Sequence, residues 1–235
     1  MALSTEGKAA ATAYDLRDRE PRVRVVQGPA KFPAVPYALA SAYSNDYFAE
    51  LQRAAGSVDR AQVDKAAEVL LSAYLRGATV FSCGNGGSAS IANHLQCDHL
   101  KGVRTGTDLL PKVVSLSNNV EVMTAIANDL SYDDVFSFQL ESQSRQGDVL
   151  VAISSSGRSH NIVNAIEWAG MHGLTTVALT GFDGGRAREL ADVALHVDSH
   201  NYGVVEDMHQ SLMHALAQYV RQSRMAPETL ESTTF

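Results

Sequence analysis

Cysteine is scarce in this chain. Cys83 and Cys97 are the only two among 235 residues. That is too few for a disulfide framework or a cysteine-rich zinc knuckle, and it points to a reducing compartment. A basic excess is missing as well. Nineteen Lys and Arg stand against 26 Asp and Glu, a formal net charge of −7. The electrostatic footprint of a nucleic-acid binder is therefore not expected. No apolar stretch approaches the ~20 residues of a membrane span, and the first twenty residues lack the apolar segment of a secretory signal. These absences together predict a cytoplasmic protein with neither membrane nor nucleic acid as partner. What remains is a chain 45% hydrophobic, long enough to bury a sizeable core, and best read as one large domain.

Proline marks one boundary. Pro21, Pro29, Pro33 and Pro36 fall in the first 37 residues, which show no sustained periodicity. Residues 1–37 are predicted to be an extended or disordered arm, and 38–225 a single domain. The segment APETLESTTF at 226–235 is predicted to be a frayed tail. Within the domain, 39–54 and 59–76 have helical spacing, with Ser57 or Asp59 as the cap of the second. A helical hairpin is expected there.

Strands and helices then alternate. The expected strands are Thr79–Cys83, Lys112–Leu116, Val149–Ile153, Thr175–Leu179 and Val193–Val197. Helices are expected near 88–100, 120–130, 133–144, 159–172, 184–190 and 203–224. Short Val/Ile/Leu strands alternating with helices predict an α/β fold with a parallel sheet covered on both faces. Ligands of such folds bind beyond the carboxyl ends of the strands.

Three strand ends carry turn chemistry. The first, Gly84-Asn85-Gly86-Gly87-Ser88, opens a helix. It matches neither the dinucleotide fingerprint nor a Walker loop, so it reads either as a structural turn or as a close backbone approach to an anion. At the third strand end stands Ile153-Ser154-Ser155-Ser156-Gly157-Arg158-Ser159. One serine suffices to cap a helix, so four point to a phosphate cradle of hydroxyls and amides. The fourth end, Leu179-Thr180-Gly181-Phe182-Asp183-Gly184-Gly185, reads mainly as structure.

His94 and Asp98, four residues apart, share a helical face. They form a hydrogen-bonded pair, half a metal site or an acid–base pair. A second half is available on the last helix in Glu206 and His214. Those two lie about 80° around the axis and ~12 Å along it. Such a spread suits a site assembled from two subunits.

Taken in order, the glycine loop 84–88, His94, Ala125-Ile126-Ala127-Asn128-Asp129, Gly147-Asp148-Val149-Leu150 leading into the serine loop, the loop at 179–185 and the closing His-containing helix resemble the sugar isomerase (SIS) domain. Within it they resemble the phosphoheptose isomerases, over about residues 40–223. The resemblance implies a flavodoxin-like five-stranded parallel sheet with helices on both faces. It also implies a homotetramer whose active sites draw on neighbouring subunits, and a Zn²⁺ site built from a His and a Glu after the glycine loop plus a Gln and a His on the last helix. By position those are His94, Asp98, Glu206 and His214, with Asp in place of Glu and Glu in place of Gln. A one-residue insertion would bring His99 to the second position instead, but the face shared with His94 favours Asp98.

The activity so implied is aldose–ketose isomerisation of a phosphosugar, sedoheptulose 7-phosphate to D-glycero-D-manno-heptose 7-phosphate. Asp98 and His214 are its expected acid–base residues. Asn85, Gly86, Ser88, Asp129, Ser154, Ser155, Ser156, Ser159 and Glu206 are its expected substrate contacts. The alternatives are a non-catalytic SIS protein that binds phosphosugars or a replication initiator, and an isomerase of another sugar phosphate.

Overall fold

The structure is a computed structural model and describes residues 31–235. It opens with two helices, α1 (Ala40–Ser57) and α2 (Arg60–Leu75), that form the expected hairpin. Asp59 is the cap of α2 and accepts from the Ala61 amide at 2.9 Å, while the Ser57 hydroxyl turns back to the Ala54 carbonyl. Of the proline-rich arm, residues 1–30 lie outside the described residues. Residues 31–37 pack on the domain. The Phe32 ring lies 5.1 Å from that of Tyr43 and 6.1 Å from that of Tyr47, and its carbonyl accepts from Asn201 at 3.1 Å.

Five parallel strands follow: β1 (Thr79–Gly84), β2 (Lys112–Ser115), β3 (Val149–Ser154), β4 (Thr175–Thr180) and β5 (Val193–His196). Their order is β2-β1-β3-β4-β5. Side chains alternate across a strand, and both faces here are covered. Val149, Val151 and Ile153 of β3 pack under α2, α3 (Gly87–Cys97) and α8 (Tyr202–Gln222). Leu150 and Ala152 pack with Phe136, Ile162 and Ile166 on the opposite side, beneath α5 (Ser137–Gln143) and α6 (His160–Met171). A strand buried on both faces has no polar alternation, which is why β3 reads as the run VLVAIS. The order reverses between β1 and β3, and the crevice of a doubly wound sheet opens at that point. The glycine loop and the serine loop are the two strand ends that flank it.

The remaining helices are α4 (Val120–Asp129), α7 (Gly185–Leu190) and the short α9 (Pro227–Leu230). Three boundaries differ from the sequence expectation. The helix expected to run to residue 100 stops at Cys97 and continues as a π-helical segment, Asp98–Val103. The helix expected at 133–144 splits into a 3₁₀ turn, Tyr132–Asp134, and α5. The tail expected to fray forms α9 and folds back, with Arg221 donating to the Thr234 carbonyl at 3.3 Å and lying over the Phe235 ring.

Candidate active site

The glycine loop is built for close approach. A Cβ on Gly84 would stand 2.5 Å from the Ser88 backbone, so the helix can start directly above the strand only with glycine there. Gly86, at φ +54°, precedes α3. The Ser82 hydroxyl of β1 donates to the Ala92 carbonyl at 2.9 Å and ties α3 down. Asn85 exchanges amide hydrogen bonds with Asn161 at 2.9 and 3.0 Å and accepts from the Tyr132 hydroxyl at 2.9 Å. Its side chain is thus fixed by two residues that sequence reading did not select.

Across the switch point, the serine loop is locked in place by glycines. A Cβ on Gly157 (φ +62°) would fall 1.8 Å from the Gly184 carbonyl oxygen, and the Gly157 carbonyl accepts from the Ala187 amide at 3.0 Å. The 179–185 loop therefore buttresses the serine loop. Ser154 Oγ accepts from the Gly157 amide at 3.1 Å and Ser156 Oγ from the Arg158 amide at 3.3 Å. Among the described residues, Ser155 Oγ is buried with no partner, and Ser159 precedes α6 without a side-chain capping bond. These last two hydroxyls are uncommitted. Ser154, Ser155, Ser156 and Ser159, with Asn85 and Ser88 opposite, line a cleft of about 140 Å³. Asp129 is apart from it, exposed at the end of α4, where its carboxylate accepts from Asn128 at 2.7 Å.

His94, Asp98 and His214 come together within one chain, their ligand-capable atoms all within 4.8 Å of one another. His94 Nε2 lies 3.2 Å from Asp98 Oδ1, and His214 Nδ1 lies 2.8 Å from Asp98 Oδ2. The shorter Asp side chain thus reaches both imidazoles. His99 is excluded from this cluster. The π segment carries more residues per turn than an α-helix and swings His99 into the core, where its Nδ1 meets the Tyr74 hydroxyl at 2.6 Å. Burial lowers its pKa to about 4, slightly opposed by Asp98.

Glu206 does not join the trio. It lines the serine cleft, its carboxylate so close to Gly87 that a Cβ there would stand 2.3 Å from it. Desolvation raises its pKa, and the neighbouring Asp207 adds to the effect. Gln210, one turn further along α8, approaches the histidines instead. Its Nε2 is 3.1 Å from His94 Nδ1 and 2.8 Å from His214 Nε2. Gln210 was not selected from the sequence, although its i, i+4 relation to His214 placed both on one face.

Two imidazoles and a carboxylate converging at the α3–α8 contact are a donor set that suits Zn²⁺. All three side chains remain partly open, at 46%, 27% and 40% exposure for His94, Asp98 and His214. The residues present therefore fit the metal that the resemblance implies.

The sequence pattern of the SIS domain family matches residues 43–181 of this chain. The chain belongs to the SIS domain family. This SIS protein is 37% identical over 174 residues to a phosphoheptose isomerase of Colwellia psychrerythraea, covering 73% of this chain and 88% of the relative. Against one from Shewanella frigidimarina the figure is 41% over 157 residues, 66% of this chain and 79% of the relative. Among solved structures it is similar to the phosphoheptose isomerase GmhA of Neisseria gonorrhoeae. The TM-score is 0.71 at 31% identity, over 77% of this chain and 96% of that one. No helix among the described residues of this SIS protein is long and apolar enough to cross a membrane.

Proposed function

We propose that this protein is a phosphosugar isomerase that converts sedoheptulose 7-phosphate to D-glycero-D-manno-heptose 7-phosphate. The observation that carries this reading is the Asp98 carboxylate placed between two imidazoles at the α3–α8 contact. Aldose–ketose exchange needs a proton removed from one carbon and returned to its neighbour. A carboxylate hydrogen-bonded to an imidazole offers a base and an acid within reach of adjacent atoms. Asp98 takes the proton from C1 of the ketose, and His214 delivers one to C2 of the enediol. A Zn²⁺ held by His94, Asp98 and His214 would polarise the sugar carbonyl and acidify the C1 proton.

The phosphate belongs in the serine cleft. Ser155 and Ser159 offer uncommitted hydroxyls there, and the N-terminus of α6 adds its dipole. Asn85, held rigid by Asn161 and Tyr132, and Ser88 contact sugar hydroxyls, and so does Glu206. Gly86 keeps the backbone close to the ligand. The working unit is a cytoplasmic homotetramer of a domain spanning 38–225. The support for assembly is α1, where Tyr47, Leu51 and Ala55 turn to the core and Phe48 remains at 64% exposure, an apolar side chain suited to contact with a second copy.

The test is an NMR time course with sedoheptulose 7-phosphate in D₂O, using protein of measured zinc content. Aldose product carrying deuterium at C2 is expected. Absence of any aldose with zinc bound would refute the substrate assignment, and absence of both turnover and zinc would favour a binding protein.

A further inference from the structure

Four side chains close a ring of polar contacts at the α3–α8 contact. Asp98 meets His94 Nε2 at 3.2 Å and His214 Nδ1 at 2.8 Å. Gln210 Nε2 meets the other nitrogen of each ring, His94 Nδ1 at 3.1 Å and His214 Nε2 at 2.8 Å. A neutral imidazole donates from one nitrogen and accepts at the other. With the amide NH₂ of Gln210 facing both rings, His94 Nδ1 and His214 Nε2 must be acceptors. The ring protons then sit on His94 Nε2 and His214 Nδ1, and both point at the carboxylate. Every contact pairs a donor with an acceptor, and no imidazole lone pair faces Asp98.

A primary amide has nearly the same shape after half a turn, because its oxygen and nitrogen exchange places. After that turn Gln210 Oε1 faces both rings and accepts from both. The ring protons must then sit on His94 Nδ1 and His214 Nε2. The lone pairs of His94 Nε2 and His214 Nδ1 now point toward Asp98, and three anionic or lone-pair donors converge. That arrangement repels itself unless a cation lies between them. Metal-bound histidines commonly donate their second N–H to a carbonyl or carboxylate, which fixes the tautomer.

We propose that Gln210 is a positioning residue whose amide orientation selects the tautomers of both His94 and His214, and so converts the trio from a closed hydrogen-bonded ring to a divalent-cation site. The proposal deepens the reading of this trio as the metal-assisted centre of an isomerase, and rests on it for the site's identity. One side chain thereby links two imidazoles that are 120 residues apart in the chain. Glu206, one turn earlier on α8, lines the serine cleft and stands outside the group of ligand-capable atoms formed by His94, Asp98 and His214.

The experiment uses the full chain and zinc alone, without sugar. Imidazole ¹⁵N spectra report which ring nitrogen carries the proton, and chelator competition reports zinc affinity. In the zinc-free wild type, His94 should be protonated at Nε2 and His214 at Nδ1, and zinc should reverse both. Gln210→Glu presents only acceptors, so it should hold the reversed tautomers without zinc and bind zinc at least as tightly as wild type. Gln210→Met keeps the volume but removes the amide, and should weaken zinc about 10- to 100-fold. Wild-type affinity in Gln210→Met, or tautomers unchanged between zinc-free and zinc-loaded protein, would overturn the proposal. Because no sugar is present, failure of the isomerase reading registers separately, as lack of turnover in protein that passes both tests.

Discussion

His214 Nδ1 lies 2.8 Å from Asp98 Oδ2, a contact between residues 116 positions apart that joins α8 to the end of α3. Both side chains are partly open and neither belongs to the two hydrophobic clusters flanking the sheet. Removing either should therefore injure chemistry rather than folding. Asp98→Asn and His214→Ala are each expected to lower kcat by about 10²- to 10⁴-fold. Circular dichroism and the melting temperature should stay near those of the parent. Parent-level turnover by either variant would remove the pair from the mechanism.

Ser155 makes an opposing prediction for stability and binding. Its hydroxyl is buried and has no hydrogen-bond partner among the described residues, so Ser155→Ala removes a desolvated polar group. Stability to urea should hold or rise by up to about 1 kcal/mol. A hydrogen bond to a charged phosphate is worth about 1.5–3 kcal/mol, so KM for the phosphosugar should rise at least about tenfold. A fall in stability with KM unchanged would show the hydroxyl to be structural.

Two glycines separate hard from soft crowding. Gly157→Ala would place a Cβ against the backbone of Gly184 in a left-handed conformation, and neither loop can yield without the other. A loss of about 3 kcal/mol or more is expected. The nearest atoms that Gly87→Ala meets belong to the end of the Glu206 side chain. Its effect should shrink in a Glu206→Ala background, with a coupling of about 1 kcal/mol in a double-mutant cycle. Additive effects would mean that the Glu206 carboxylate does not pack on the glycine loop.

Two buried histidines set the acid response. Burial lowers the pKa of His209 to about 4, partly opposed by the Thr180 backbone and reinforced by His196. Among the described residues neither of its ring nitrogens has a partner in good hydrogen-bond geometry, the Thr180 backbone being near but poorly aligned. His99 is likewise lowered to about 4. In the unfolded chain these rings take up protons as pH falls below about 6.5, whereas in the folded chain they do so only near 4. The unfolded state thus holds more protons across that window, so stability must decline as pH drops through it. Each fully buried ring accounts for up to about 3 kcal/mol. Urea titrations at pH 7, 5.5 and 4.5 should show the decline, and His209→Leu should flatten it.

Much of this architecture was readable in the chain itself. The central strand announced itself because a strand buried on both faces must be largely apolar, as Val149–Ile153 is, and the other four as short Val/Leu-containing runs between turn residues. The helical hairpin followed from periodicity, and residue type narrowed the cap of its second helix to Ser57 or Asp59; the structure places Asp59 there. The serine loop was legible because its hydroxyls exceed what capping requires. His94 and Asp98 were legible because residues one turn apart share a face whatever the helix packs against.

Contacts between distant elements were not legible in this way. The π segment after Cys97 decides that Asp98 stays beside His94 while His99 turns to Tyr74, and spacing alone permitted either. Glu206 and Gln210 are both polar, and both lie on the half of α8 that precedes His214. Only the packing of α8 against α3 decides that Gln210 meets the histidines while Glu206 meets Gly87. Asn161 and Tyr132 are ordinary residues until the fold brings them to Asn85. Most element types, their succession along the chain and the chemical inventory follow from the residues alone, because local sterics and burial act over a few residues. Which of those groups touch was decided by the tertiary structure, because helix register across a packing contact depends on every side chain in the interface.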